Sequence, residues 1–136
     1  IISFDIIDYK NFETHLNDEF LKKNKFKQYL SDLSEKTEYD KHYQLLNNAD
    51  IIFIDAPKDG KFEYKLLENM TNLKNKENKI LILDDIKFMN MINLWNSIKS
   101  PKMDIVSVGN WTGTGLVDIS KGLVLNNKTQ PIASQN

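Results

Sequence analysis

Short apolar runs separated by amphipathic segments make up most of this chain. Four runs stand out, at residues 1–7, 50–55, 79–84 and 103–108, and each is short enough to be a strand. A fifth strand is predicted at 115–119 and a weaker one at 26–30. The runs Ile-Ile-Phe-Ile and Ile-Leu-Ile-Leu, within 50–55 and 79–84, are continuous rather than alternating, which is typical of parallel strands covered by helices on both faces.

Between the strands, apolar residues recur at helical spacing. Each predicted helix has one apolar stripe, and the four stripes are Phe88, Met91, Ile92, Trp95 and Ile98; Phe62, Leu66, Leu67 and Met70; Phe12, Leu16 and Phe20; and Tyr39, Tyr43 and Leu46. The first of these helices must end before Pro101, and Ser34 is a plausible N-cap of the last. Because strands and helices alternate, the predicted class is α/β with a mostly parallel sheet.

The C-terminal part of the chain has a different pattern. Residues 106–119 read as a strand, a Gly-Asn-Trp-Thr-Gly-Thr-Gly turn and a second strand, which predicts an antiparallel pair at the end of the sheet. Residues 126–136 are polar and lack periodicity, so we expect a disordered tail. The predicted organisation is therefore one domain over residues 1–125 followed by that tail.

Composition restricts the kinds of binding partner and the cellular compartment that we expect for this protein. The 136 residues fit one domain, and 18 basic against 19 acidic residues give a net charge of -1, which favours neither nucleic acid nor an anionic membrane as a partner. The absence of cysteine excludes disulfides and thiolate chemistry. No apolar run approaches the roughly 20 residues of a membrane span, and no signal peptide is evident, so a cytoplasmic location is the default expectation.

Carboxylates follow several of the predicted strands. Asp5 lies in the first apolar run, Asp55 follows Ile-Ile-Phe-Ile, and Asp84 with Asp85 follows Ile-Leu-Ile-Leu. If the second and third runs are neighbouring parallel strands, Asp55, Asp84 and Asp85 converge at one edge of the sheet. Converging carboxylates need a cation or protons, and Mg²⁺ prefers oxygen ligands.

The alternative is that these aspartates only cap local structure. Asp85 could cap a helix beginning near Lys87, and Asp55 could hold the turn at 56–60. Lys58, three residues after Asp55, could accept a proton from a metal-bound hydroxyl, because a neighbouring cation or a desolvated pocket lowers an amine pKa. Spacing alone, however, favours a solvated loop lysine.

The segments 51–64 and 80–86 resemble the metal-dependent class I O-methyltransferases related to catechol and caffeoyl-coenzyme A O-methyltransferases. The resemblance rests on Ile-Ile-Phe-Ile-Asp-Ala-Pro-Lys followed by Ile-Leu-Ile-Leu-Asp-Asp. Residues 101–117 are also similar to bacterial methyltransferases of small-molecule or surface-polysaccharide pathways. The resemblance covers residues 1 to about 120 and is strongest after residue 50.

This resemblance implies a Rossmann-like fold, S-adenosylmethionine as cofactor, possible Mg²⁺, and a small-molecule or sugar acceptor. It implies that Asp55, Asp84 and Asp85 are metal ligands and that Lys58 is the catalytic base. It places Asp5 at the cofactor ribose, where two acceptor oxygens suit a vicinal diol, and Asp32 near the adenine. Asp55 is expected to border the cofactor as well.

The chain departs from that family because all five glycines come too late to supply the glycine-rich turn after the first strand. We therefore expect a sheet that is incomplete at its N-terminus. The alternative function is a truncated, non-catalytic domain that acts by binding or by forming a homo-oligomer through the vacant strand position.

Trp111 lies within the glycine-rich turn and has two interpretations. Its indole could stack on a substrate, or it could anchor the hairpin by burial, and the sequence favours burial.

Overall fold

The computed structural model describes residues 1–12, 17–106 and 108–126. The strands are β1 (Ile2–Asp5), β2 (Lys27–Leu30), β3 (Ile51–Ile54), β4 (Ile80–Asp84), β5 (Lys102–Asp104) and β6 (Thr114–Asp118), and the helices are α1 (Asp18–Lys23), α2 (Lys36–Asn48), α3 (Lys61–Met70) and α4 (Met91–Ser97). The α/β class is confirmed. The expected tail at 127–136, and Leu16 of the first helical stripe, lie outside the described residues.

The strands form a mixed four-stranded sheet and a separate parallel pair. The larger sheet has the order β3-β4-β6-β5, in which β3 and β4 are parallel and the other neighbours antiparallel. The predicted adjacency of the runs at 50–55 and 79–84 is therefore confirmed. The predicted C-terminal antiparallel pair is also present, although β5 ends at Asp104 and β6 lies between β4 and β5.

The core lies on one face of the larger sheet. In β3 the residues Ile52 and Ile54 are buried, whereas Ile51 and Phe53 are exposed by 63% and 60%. The buried residues pack with the apolar stripes of α2, α3 and α4. The expectation that helices cover both faces was wrong for the described part of the chain, because a continuous apolar run does not reveal which of its alternate residues are covered.

Helix α2 joins the two-stranded sheet to this core. The rings of Phe4 in β1 and Tyr29 in β2 stack with centroids 5.5 Å apart, and His42 of α2 contacts both. The helix begins at Lys36 after Glu35, so the predicted cap at Ser34 was displaced by one residue. At its other end Lys79, which is fully buried, donates to three backbone carbonyls of residues 46–49 and so satisfies the helix terminus.

Within the described residues, no helix has the length and apolar character needed to cross a membrane.

Candidate metal centre

Three aspartates meet at the carboxyl ends of β3 and β4. One carboxylate oxygen from each of Asp55, Asp84 and Asp85 lies within 4.8 Å of the other two. Asp55 follows β3 directly, Asp84 ends β4, and Asp85 comes next in the chain, so the parallel pairing brings all three to the same sheet edge. The convergence predicted from the sequence is therefore present.

Lys58 lies against two of these carboxylates. Its Nζ is 3.1 Å from Asp55 Oδ1 and also contacts Asp85 Oδ2, and its side chain is 27% exposed. The hydrogen bonds that Lys58 donates to Asp85 and Asp55 raise the pKa of its amine above the ordinary value. The interpretation as a freely solvated loop lysine was wrong, because Lys58 is the positive charge that neutralises part of this cluster.

The loop that presents Lys58 is held from beneath by Glu63. This side chain is fully buried in the first turn of α3, where Oε1 accepts from Lys58 N at 2.6 Å and Oε2 from Gly60 N at 3.1 Å. Lys58 has φ of +65°, a conformation that a lysine rarely adopts without support. Glu63 therefore fixes the backbone from which the Lys58 amine reaches the aspartates.

The glycine-rich turn after β5 contacts the other side of the cluster. Asn110 Nδ2 donates to Asp84 Oδ1 at 2.9 Å, and Thr112 Oγ1 donates to Asp85 Oδ1. Hydrogen bonds from Lys58 and then from Thr112 hold the pKa of Asp85 below its usual range, although burial opposes them. Asp85 is thus an ionised carboxylate with only 11% of its side chain exposed.

The capping interpretation does not describe Asp85. The helix after β4 begins at Met91 rather than near Lys87, and Asp85 contacts Lys58 and Thr112 instead of a helix terminus. Asp55 pairs with Lys58 inside the turn at 56–60, whose backbone Glu63 also holds, so the local interpretation still applies to Asp55. Asp84 and Asp85 are therefore held by tertiary contacts, and Asp55 by a local one.

The structure does not bring Asp5 and Asp32 into this cluster. Asp5 ends β1 and Asp32 lies two residues after β2, in the separate parallel pair. Asp5 Oδ1 accepts from Ile6 N and Ile7 N, and Asp32 Oδ1 accepts from Ser34. Backbone pairing continues between them, since Ser31 N donates to Asp5 O at 2.8 Å. The two carboxylates thus border the carboxyl end of their own sheet.

The three aspartates fit the requirements of a hard divalent cation. Oxygen ligands lie at about 2.3 to 2.6 Å from Ca²⁺ and at about 2.0 to 2.1 Å from Mg²⁺, so two ligand oxygens lie up to about 5 Å apart around Ca²⁺ and up to about 4 Å apart around Mg²⁺. The three oxygens, all within 4.8 Å of one another, are close enough for Ca²⁺ and would bind Mg²⁺ after a small inward movement of the side chains. A bound cation would compete with the Lys58 ammonium for the same carboxylates, and its charge would lower the pKa of that amine.

Sequence reasoning missed Glu63, Asn110 and Thr112. Glu63 had a readable signal, because Glu in the third helical position after a turn glycine often accepts from the preceding backbone amides. Asn110 and Thr112 had none, because their partners are 26 and 27 residues away in the chain.

Comparison with protein-family models finds no match, and comparisons with curated proteins and with solved structures find no significant match.

Proposed function

We propose that this protein transfers a methyl group from S-adenosylmethionine to a hydroxyl of a small molecule or sugar, with assistance from a divalent cation held by Asp55, Asp84 and Asp85. The observation that carries the proposal is the convergence of three carboxylates on one point, with Lys58 in contact with two of them. The sequence resemblance to metal-dependent O-methyltransferases contributes the reaction class.

A divalent cation in this position would lower the pKa of an acceptor hydroxyl and orient its oxygen. Asp85 is suited to remain an ionised ligand, because the hydrogen bonds from Lys58 and Thr112 favour its charged form. Asn110 fixes the carboxylate of Asp84 from the opposite side. These contacts hold the ligands before any substrate arrives, which reduces the cost of ordering them.

Lys58 is the proposed acceptor of the hydroxyl proton. In the arrangement described here its amine is protonated, because two carboxylates raise its pKa. It could act as a base only with a cation on Asp55 and Asp85, whose positive charge would lower the amine pKa. Transfer of the methyl group would then replace its bond to the sulfonium sulfur by a bond to the acceptor oxygen, with the hydroxyl proton taken by Lys58.

Asp5 and Asp32 are the proposed contacts to the cofactor. Their support is positional, because each follows a strand of a parallel pair at its carboxyl end, where open α/β sheets bind nucleotides. Asp5 uses Oδ1 for two backbone amides, and a carboxylate has a second oxygen with which to meet a ribose hydroxyl.

Calorimetry with Mg²⁺ and with S-adenosylmethionine tests this proposal. We expect Asp84→Asn and Asp85→Asn to weaken Mg²⁺ binding by at least about tenfold, because each removes one anionic ligand. Asp118→Asn is the matched control, since Asp118 is an exposed carboxylate at the opposite end of the same sheet. Equal Mg²⁺ affinity in all three variants, or no binding of S-adenosylmethionine by the unaltered protein, would refute the proposal.

A second candidate function is non-catalytic binding through the open parts of the sheet. Within the described residues β3 pairs only with β4, and β1 pairs only with β2. The larger sheet also has a row of apolar side chains on the face that the described helices leave open. The row consists of Phe53, Ile82, Leu116 and Met103. Such a surface suits association with another polypeptide, including a second copy of this chain.

A further inference from the structure

The turn that contacts the aspartates also carries an indole that the fold does not use. Trp111 is 85% exposed, so the expectation that it anchors the hairpin by burial was wrong. The other tryptophan, Trp95, shows the contrast, because it packs beside the core and against the backbone at Gly115. The turn that contacts the aspartates therefore leaves a large aromatic surface accessible to a ligand.

Trp111 is held next to the carboxylate pair by both of its neighbours. Asn110 donates to Asp84 and Thr112 donates to Asp85, so the residue between them has little freedom to leave the site. The backbone is fixed as well, since Gly113 N donates to Asn110 O at 3.0 Å and Lys87 N donates to Thr112 O at 2.8 Å. The turn that carries the indole thus has a backbone that is fixed by hydrogen bonds.

The residues near Trp111 in the chain indicate which kind of ligand ring would stack on its indole. Binding sites for apolar aromatic molecules are usually enclosed and lined mainly by apolar side chains. The residues before and after Trp111, Asn110 and Thr112, are polar and contact carboxylates, and Asp55 has half of its side chain exposed. Surface cavities of about 400 and 290 Å³ lie elsewhere, around Leu123 and around Pro101.

We infer that Trp111 is a stacking platform for a sugar ring of the methyl acceptor, an inference that rests on the proposed function. A pyranose has a face of C–H groups that can cover an exposed indole and an edge of hydroxyls that can reach the polar groups beside it. A sugar whose apolar face covers Trp111 is bound at the turn whose flanking residues, Asn110 and Thr112, contact Asp84 and Asp85. Trp111 therefore selects the acceptor, whereas the aspartates and Lys58 act on its hydroxyl.

Tryptophan fluorescence tests this inference, because the chain contains only two tryptophans. The difference between the emission of the unaltered protein and that of Trp111→Phe isolates Trp111. In the presence of Mg²⁺, we expect at least one of the methyl pyranosides of glucose, galactose, mannose and N-acetylglucosamine to shift this emission to shorter wavelength. Calorimetry, which does not depend on the indole, should show that Trp111→Ala binds that glycoside at least about tenfold more weakly, whereas Trp111→Phe should retain most of the affinity.

Several results would overturn the inference. No change in Trp111 emission with any of the four glycosides would do so, as would equal affinity in Trp111→Ala, or a response to catechol alone. Mg²⁺ affinity, measured in the same Trp111→Ala protein, should be unchanged. If the unaltered protein binds Mg²⁺ normally but shows no response to the glycosides, only the role of Trp111 is refuted. Mg²⁺ affinity that is insensitive to Asp84→Asn and Asp85→Asn refutes the proposed function itself.

Discussion

Glu63 is a fully buried carboxylate whose two oxygens both accept from backbone amides of the Lys58 loop. Glu63 is not a member of the cluster of Asp55, Asp84 and Asp85, yet it fixes the backbone position from which the Lys58 side chain extends. Its role therefore differs from that of the cluster itself, because removing it should affect both the stability of the fold and the position of the amine.

We expect Glu63→Ala to lower the free energy of unfolding by about 2 kcal/mol or more, because two amides lose their acceptor. Glu63→Gln keeps one side-chain acceptor oxygen and should lose less. Urea denaturation measures both, and Glu68→Ala, an exposed position on the same helix, is the matched control. A Glu63→Ala protein as stable as Glu68→Ala would contradict this account.

The ion pair between Lys58 and Asp85 makes stability depend on pH. The pKa of Asp85 is lowered in the folded protein, so its contribution is fully present above the unfolded value of about 3.9 and is lost as pH falls through the folded value. Lys58→Met should raise the pKa of Asp85 and move this loss of stability to higher pH. Carboxyl NMR titration gives the result, with Lys61→Met as the control, and identical Asp85 titrations would exclude the pair.

At the scale of elements, the turn between β5 and β6 is fitted closely to the segment after β4. Gly113 has φ of +88°, and a Cβ added there would lie 2.9 Å from Ile86 Cγ1. Ile86 N donates to Gly113 O at 3.1 Å. The turn and the residue after Asp85 therefore keep a fixed spacing, on which the contacts of Asn110 and Thr112 depend.

Alanine substitutions at Gly113 and Gly122 distinguish the effect of this close packing from the effect of a left-handed backbone conformation. Gly122 has φ of +96°, but an added Cβ would meet only Asn75 Oδ1, at 3.7 Å. Gly122→Ala should therefore cost about 1 to 2 kcal/mol from the left-handed conformation alone. Gly113→Ala should cost more and should also weaken Mg²⁺ binding, as measured by calorimetry. Equal losses of stability and equal Mg²⁺ affinity in the two variants would show that the spacing is unimportant.

The sequence predicted most of the elements because most have a strong local signal, whereas Phe12 of the predicted stripe Phe12, Leu16 and Phe20 lies before the observed helix α1, which contains Phe20. The apolar runs ending at Asp55 and Asp84 predicted both the strands and the convergence of the aspartates, since neighbouring parallel strands bring their carboxyl ends together. The exposure of Trp111 could not be predicted, because burial depends on which residues approach from distant parts of the chain. The ion pairs of Lys58 were missed for the same reason, since Asp85 is remote in sequence.

At the scale of the whole molecule, the larger sheet has two unlike faces. One packs against α2, α3 and α4, and the other has the apolar row that includes Phe53 and Met103, which are 60% and 63% exposed. An exposed apolar row of this kind is typical of a contact surface for another polypeptide or a second copy of the chain.

We expect the protein to self-associate through this row, and Phe53→Lys to reduce the association because a charge would enter the contact. Light scattering measures the mass of the particles, and circular dichroism verifies that the variant remains folded. Val108→Lys is the control, since Val108 is 81% exposed and lies on the turn instead of the row. Association that persists unchanged in Phe53→Lys would exclude the row as the interface.

The aspartates come from two strands that are separated by an entire helix, and the turn that braces them is a third piece of the chain. Denaturation scatters these pieces, so the binding geometry exists only in the native state. By mass action, an ion that binds there must raise the melting temperature as its concentration rises. The melting temperature would then depend on the concentration of that ion around the protein, whether or not any reaction takes place.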